Sequence, residues 1–131
     1  LFQEIMEAEW PTLQTYETTF GSTPEQDEAV VKFVESNDYD LILCTNYYDR
    51  QEKPNTYVKQ LIDAGKPVVL MTNTPYCIKE HGGCIPSAPT VIVNMNLTPE
   101  GLRTAKGVLF NELEPKGTWP LSNYDPFGLK G

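Results

Sequence analysis

The stretch that decides the fold is Lys66-Pro67-Val68-Val69-Leu70-Met71-Thr72-Asn73-Thr74-Pro75-Tyr76. Val68 to Met71 form an unbroken apolar run, closed off by Gly65-Lys66-Pro67 before it and Pro75 after it. The run is too short for a helix and does not alternate, so it suits a strand buried on both faces. Such a strand needs helices above and below it, which predicts an α/β domain with a mostly parallel sheet. The run stops on polar Thr72, Asn73 and Thr74. In open parallel sheets ligands gather at the carboxyl ends of strands, so function is expected at this end.

Two further runs have the same character, Asp40 to Asn46 and Thr90 to Met95, and both are predicted as buried strands. Helices are expected around them. Phe2, Ile5 and Met6 recur at helical spacing, predicting an amphipathic helix from residue 1 to about 9 that Pro11 stops. Thr12 to Phe20 is rich in Thr and Tyr and reads as a partly exposed strand. Thr23-Pro24-Glu25-Gln26 carries a Thr N-cap, Pro in the first turn and Gln three residues on, a helix start whose buried stripe is Ala29, Val30, Phe33 and Val34. Asn55 is the expected N-cap of a helix burying Tyr57, Val58, Leu61 and Ile62, with Gly65 closing it. Thr98-Pro99-Glu100 starts the last helix, burying Leu102, Ala105, Val108 and Leu109. Residues 77–89 are irregular, and the tail at 114–131, with its prolines and glycines, is expected as extended coil. Helix-linked parallel strands in this order predict a flavodoxin-like three-layer sandwich. A chain that opens on a helix is expected to have lost the strand before it.

The 131 residues make a single domain, and a net charge of −8 without a basic cluster argues against a nucleic-acid or anionic-membrane surface. No apolar run approaches the length needed to span a bilayer. Leu1-Phe2-Gln3 has no initiating methionine and reads as mid-helix, so an excised piece of a longer protein is expected. Three cysteines cannot form a closed disulfide framework, and Cys44 sits in a strand run as a small buried hydrophobe. A cytoplasmic compartment is favoured on that ground, secretion through a missing N-terminal signal being the alternative.

The strand ends carry the candidate chemistry. Thr45-Asn46, Thr72-Asn73-Thr74 and Asn94-Met95-Asn96 fall on one edge of a parallel sheet, where amides and hydroxyls suit a hydroxyl-rich ligand such as a sugar. The same residue types also simply begin turns. Asp49, Arg50 and Glu52 follow a strand end and can present an acid to a glycosidic bond, or form a solvated charged loop. Cys77, His81 and Cys84 are spaced like metal ligands, but three are too few for a closed site, and no structural metal is expected. There is no GxGxxG and no GxxxxGK[ST], so no nucleotide cofactor is expected, and a single histidine, His81, allows no catalytic triad to be assembled.

From Asp40 onward the chain resembles the C-terminal α/β domain of glycoside hydrolase family 3, in its β-N-acetylhexosaminidase branch. The carriers are Asp40-Leu-Ile-Leu-Cys-Thr through Gln60-Leu-Ile, Gly65-Lys-Pro-Val-Val-Leu-Met, Thr74-Pro75-Tyr76, Ala105-x2-Val108-Leu-Phe110, and Pro115-x-Gly117-x2-Pro120-Leu121. The last resembles the family's P-x-G-x-L-P-V segment, although Thr118-Trp119 stands where the family often has Lys-Leu. The resemblance implies a partner, an N-terminal (β/α)8 barrel carrying the nucleophile and, in this branch, the acid/base. None of the barrel's motifs is in this chain, so no catalytic residue is assigned. In the β-glucosidase branch a glutamate of the second domain is the acid/base. The residues around Glu52 do not match that motif, and the role is not carried over. The expectation is a non-catalytic accessory domain packed on a barrel, with Asn46, Asp49, Arg50, Glu52, Asn73, Tyr76, Asn94 and Asn96 as residues near a bound carbohydrate. The competing expectation is a free-standing flavodoxin-like module for a sugar or another small polar ligand.

Overall fold

A computed structural model describes residues 1–19, 21–47, 55–77 and 83–128. The chain forms a mixed α/β fold: helix α1 (Phe2–Glu9), helix α2 (Pro24–Glu35), strand β1 (Ile42–Thr45), helix α3 (Tyr57–Asp63), strand β2 (Val68–Thr72), strand β3 (Thr90–Val93) and helix α4 (Pro99–Leu109). The three strands are parallel in the order β1-β2-β3, with Cys44 opposite Leu70 and Leu70 opposite Val91. Every residue of central β2 is buried, as its uninterrupted apolar run requires.

The pleat sends alternate side chains to opposite faces, and each face has its own helices. Cys44, Val68 and Leu70 pack with Val30 and Val34 of α2 and with Tyr57, Val58, Leu61 and Ile62 of α3. On the other side Met71 packs with Leu102 and Ala105 of α4, bordered by Phe2 and Ile5 of α1. Helix α1 lies against α4, where Lys106 Nζ meets Glu9 Oε1 at 2.7 Å and the Trp10 and Phe110 rings stand 4.6 Å apart.

Local signals account for the helix boundaries. Thr23 and Gln26 form the reciprocal capping box, and the Thr98 side chain accepts from Gly101 N. Helix α3 ends in a Schellman turn: Gly65, at φ +73°, donates to Ile62 O, and Lys66 N donates to Leu61 O.

Three expectations are corrected. Residues 12–19 form no strand; they run irregularly, with no ladder partner among the described residues. β propensity reports how a side chain fits a pleated neighbour, and this segment has no paired neighbour to fit. Strands β1, buried only at Cys44, and β3 are half-buried rather than buried, because each is an edge of the sheet with no second neighbour among the described residues. Asn55 is not the cap of α3: Thr56 holds that position without a side-chain bond, and Asn55 is used elsewhere. The described part of the tail, 114–128, holds neither helix nor strand, as expected of its composition.

Candidate functional site

The parallel topology places the ends of β1, β2 and β3 on one edge. There the candidate amides serve mainly as internal connectors. Asn46, buried beyond β1, donates from Nδ2 to Gly83 O at 3.1 Å and accepts at Oδ1 from Asn55 N at 2.9 Å. Asn55 Oδ1 in turn accepts from Ser22 N at 3.0 Å. The Ser22 and Thr56 hydroxyls both donate to the buried carboxylate of Asp27. A chain of hydrogen bonds thus ties the loop before α2, the end of β1, the start of α3 and the segment at Gly83 into one edge. At Gly83 a side chain has no room, since a Cβ would fall 2.0 Å from Asn46 O and 2.7 Å from Thr72 Oγ1.

The other tips follow the same pattern. Thr72 and Thr74 are buried, and the Thr74 hydroxyl accepts from Tyr76 N at 3.2 Å. Asn94 Nδ2 donates to Gly101 O at 3.3 Å, and Asn96 Oδ1 accepts from Thr98 N at 3.0 Å, fastening β3 to the start of α4. Asn73 is half-buried between them. Tyr76 is exposed, as are Met95 and Leu97 beyond β3, so the edge presents apolar surface beside its tied-down polar groups. Asp49, Arg50 and Glu52 lie outside the described residues, as does His81.

Cys77 and Cys84 are free thiols, as is Cys44. Burial, then a hydrogen bond with the Cys77 thiol, pushes Cys84 up to about 12. Cys77 N donates to the Tyr124 hydroxyl at 2.8 Å, and Cys84 N to Tyr76 O, so the tail is anchored on this loop. Among the described residues no group of three or more His, Cys, Asp or Glu side chains gathers to hold a metal.

A second concave feature lies beside the sheet. A cleft of about 410 Å³ separates residues 13–19 from β1, lined by Leu43, Thr45, Tyr47 and Tyr57 and overhung by Phe2 and Met6 of α1. Burial pushes the Tyr47 phenol up to about 12, and its hydroxyl, shielded from solvent, has no hydrogen-bond partner among the described residues.

Sequence patterns pointed to the tips but missed the residues that organise them. Asp27 had a signal: it shares the i, i+3, i+7 stripe with Val30 and Val34, and a carboxylate on a buried stripe must find donors. Thr56 and Gly83 had none, because their partners, Asp27 and Asn46, are remote in sequence. No protein-family model, no curated protein and no solved structure matches this chain.

Proposed function

We propose that residues 1–131 are a non-catalytic accessory domain of a glycosidase resembling glycoside hydrolase family 3, of β-N-acetylhexosaminidase or β-glucosidase type, packing on a catalytic barrel. In this reading the sheet belongs to a flavodoxin-like sandwich whose first strand lies outside the 131 residues. The observation that carries the proposal is the division of labour at the strand ends. Asn46, Thr72, Thr74, Asn94 and Asn96 are engaged within the fold, whereas Tyr76, Met95 and Leu97 remain exposed. Tied-down polar groups with apolar groups beside them make a surface for packing rather than for bond cleavage.

The tail supports the same reading. Trp119 and Phe127 meet edge-to-face at 5.5 Å, and both are only partly buried. Aromatic groups held in place yet still meeting water offer apolar area to a neighbouring domain, and interdomain contacts cover about 600–1,500 Å². Exposed Tyr76 offers a bound sugar an aromatic face, and Asp49, Arg50 and Glu52 remain candidates from the sequence alone.

Two measurements test the proposal. The 131-residue chain is incubated with aryl N-acetylglucosaminides and aryl glucosides, and no turnover is expected. Turnover abolished by Glu52→Gln makes this domain the source of the acid and overturns the non-catalytic reading. The gene is read upstream of Leu1, where a (β/α)8 barrel of about 250 residues is expected. A start codon directly before Leu1 favours the free-standing sugar-binding module instead.

A further inference from the structure

We infer that the cleft between residues 13–19 and β1 is the seat of an extended, apolar β-strand that runs parallel to β1 and passes directly into α1. The inference rests on the proposed reading of the sheet as lacking its first strand, and it specifies where that strand lies, what it pairs with and which segment it orders.

The backbone of β1 gives the first reason. Ile42 N donates to Pro67 O and Asn46 N to Met71 O, both towards β2. Alternation along a parallel strand therefore turns the N–H and C=O groups of Leu43 and Thr45 the other way. Among the described residues no strand pairs with that edge, and Leu43 and Thr45 are the two β1 residues that line the cleft. An open strand edge is a template for another strand.

The shape of the cleft gives the second. Were residues 13–19 the direct neighbour of β1, they would lie about 4.8 Å away and leave no cavity between them. A gap of about 410 Å³ separates them instead. The gap is covered on both faces, by Phe2 and Met6 of α1 on one side and by Tyr57 on the other, so its occupant is buried above and below. A strand in such a position is a continuous apolar run rather than an alternating one. Within reach is the Tyr47 hydroxyl, buried and without a partner among the described residues, for which a strand carbonyl is a suitable acceptor.

The connection gives the third. Phe2 and Gln3, in the first turn of α1, line the cleft, and α1 lies on the sheet face beside Leu43 and Met71. A parallel strand ending there enters α1 by a short turn, and the chain then returns through residues 13–19 on the strand's far side. This is the strand–helix–strand crossover that parallel pairing requires. The Thr- and Tyr-rich composition of 12–19 then has its use: the segment becomes the strand beyond the inserted one.

Amide hydrogen exchange tests the inference on three proteins. The first is the 131-residue chain, the second the same chain with Val-Ile-Val-Leu-Val-Gly-Asn placed before Leu1, and the third a control with a Gly/Ser heptapeptide there. In the unextended chain and the control, Leu43 and Thr45 amides should exchange about 100-fold faster than those of Cys44 and Leu70. In the strand-extended chain they should slow by about 100-fold, and protection should appear across residues 13–19. Unchanged protection of Leu70 in all three shows that each is folded. Leu43 and Thr45 already protected in the unextended chain, or slowed equally by both extensions, overturn the inference. Protection that grows with protein concentration alongside a dimer peak assigns the slot to a second copy and likewise overturns it. No outcome involves the Trp119 surface or a barrel, so failure here leaves the accessory-domain reading standing; absence of a barrel leaves this slot intact, whereas a start codon directly before Leu1 removes both.

Discussion

Replacing Gly83 by alanine tests whether the segment at Gly83 is seated on the strand tips. The new Cβ falls 2.0 Å from Asn46 O and 2.7 Å from Thr72 Oγ1, and the nearer of these atoms is backbone, so no rotamer change relieves the clash. The segment must move by about 1 Å or more, and overpacking of this kind costs about 1–3 kcal/mol. The same movement breaks the bond from Asn46 Nδ2 to Gly83 O and leaves a buried amide unsatisfied, a further cost of about 1–3 kcal/mol. The sum, about 2–6 kcal/mol, is a large part of the 5–15 kcal/mol that ordinarily holds a domain folded. For a chain of this size each kcal/mol moves Tm by about 4 °C, so a fall of about 8–24 °C is expected. Thermal unfolding followed by circular dichroism reads it directly. Gly117→Ala is the control, since nothing lies within 4 Å of its Cβ, and it should change stability by no more than about 0.5 kcal/mol. A Gly83→Ala protein that melts within about 2 °C of the parent would refute the seating of this segment on the β1 and β2 tips.

Other perturbations have equally definite outcomes. Thr23→Ala removes one half of the capping box and should cost about 1 kcal/mol in urea unfolding; no loss would mean that α2 is held by packing alone. Burial raises Cys44 from its ordinary value near 9 to about 12 and Tyr47 from near 10 to about 12, so the folded state holds these protons more tightly than the unfolded state. That contribution is complete below about pH 9 and is lost as pH rises from there towards 12, so the urea midpoint should fall in this window, less steeply in Cys44→Ala; a midpoint that rises would contradict the burial of both groups. Elemental analysis of protein purified without chelator should find well under one zinc per chain, whereas stoichiometric zinc lost on Cys77→Ser and Cys84→Ser would establish a metal site.

Much of the layering was legible because it follows from local chemistry. The five-residue burial of β2, the reciprocal bonds of Thr23 and Gln26, and the positive φ of Gly65 each follow from residue types at fixed spacing. Residues 12–19 were misread because strand formation needs a partner that no local pattern guarantees. The half-burial of β3 was equally invisible, since a Val-Ile-Val run looks the same at a sheet edge as at its centre. At the candidate site, Asn46 was legible as a strand-end amide, but its partner Gly83 lies 37 residues away, and only the folded chain brings them together. A side chain's chemistry can be read from its type, whereas its engagement depends on which remote backbone arrives beside it.

The claim that this domain accompanies a glycosidase barrel is tested most directly on the native protein. An antibody raised against residues 1–131 is used to isolate the intact gene product, whose mass and hydrolysis of an aryl N-acetylglucosaminide are then measured. A barrel of about 250 residues joined to this 14.8 kDa segment predicts a polypeptide above roughly 40 kDa that releases the aryl group. A native polypeptide of 14.8 kDa, without hydrolytic activity, would contradict it.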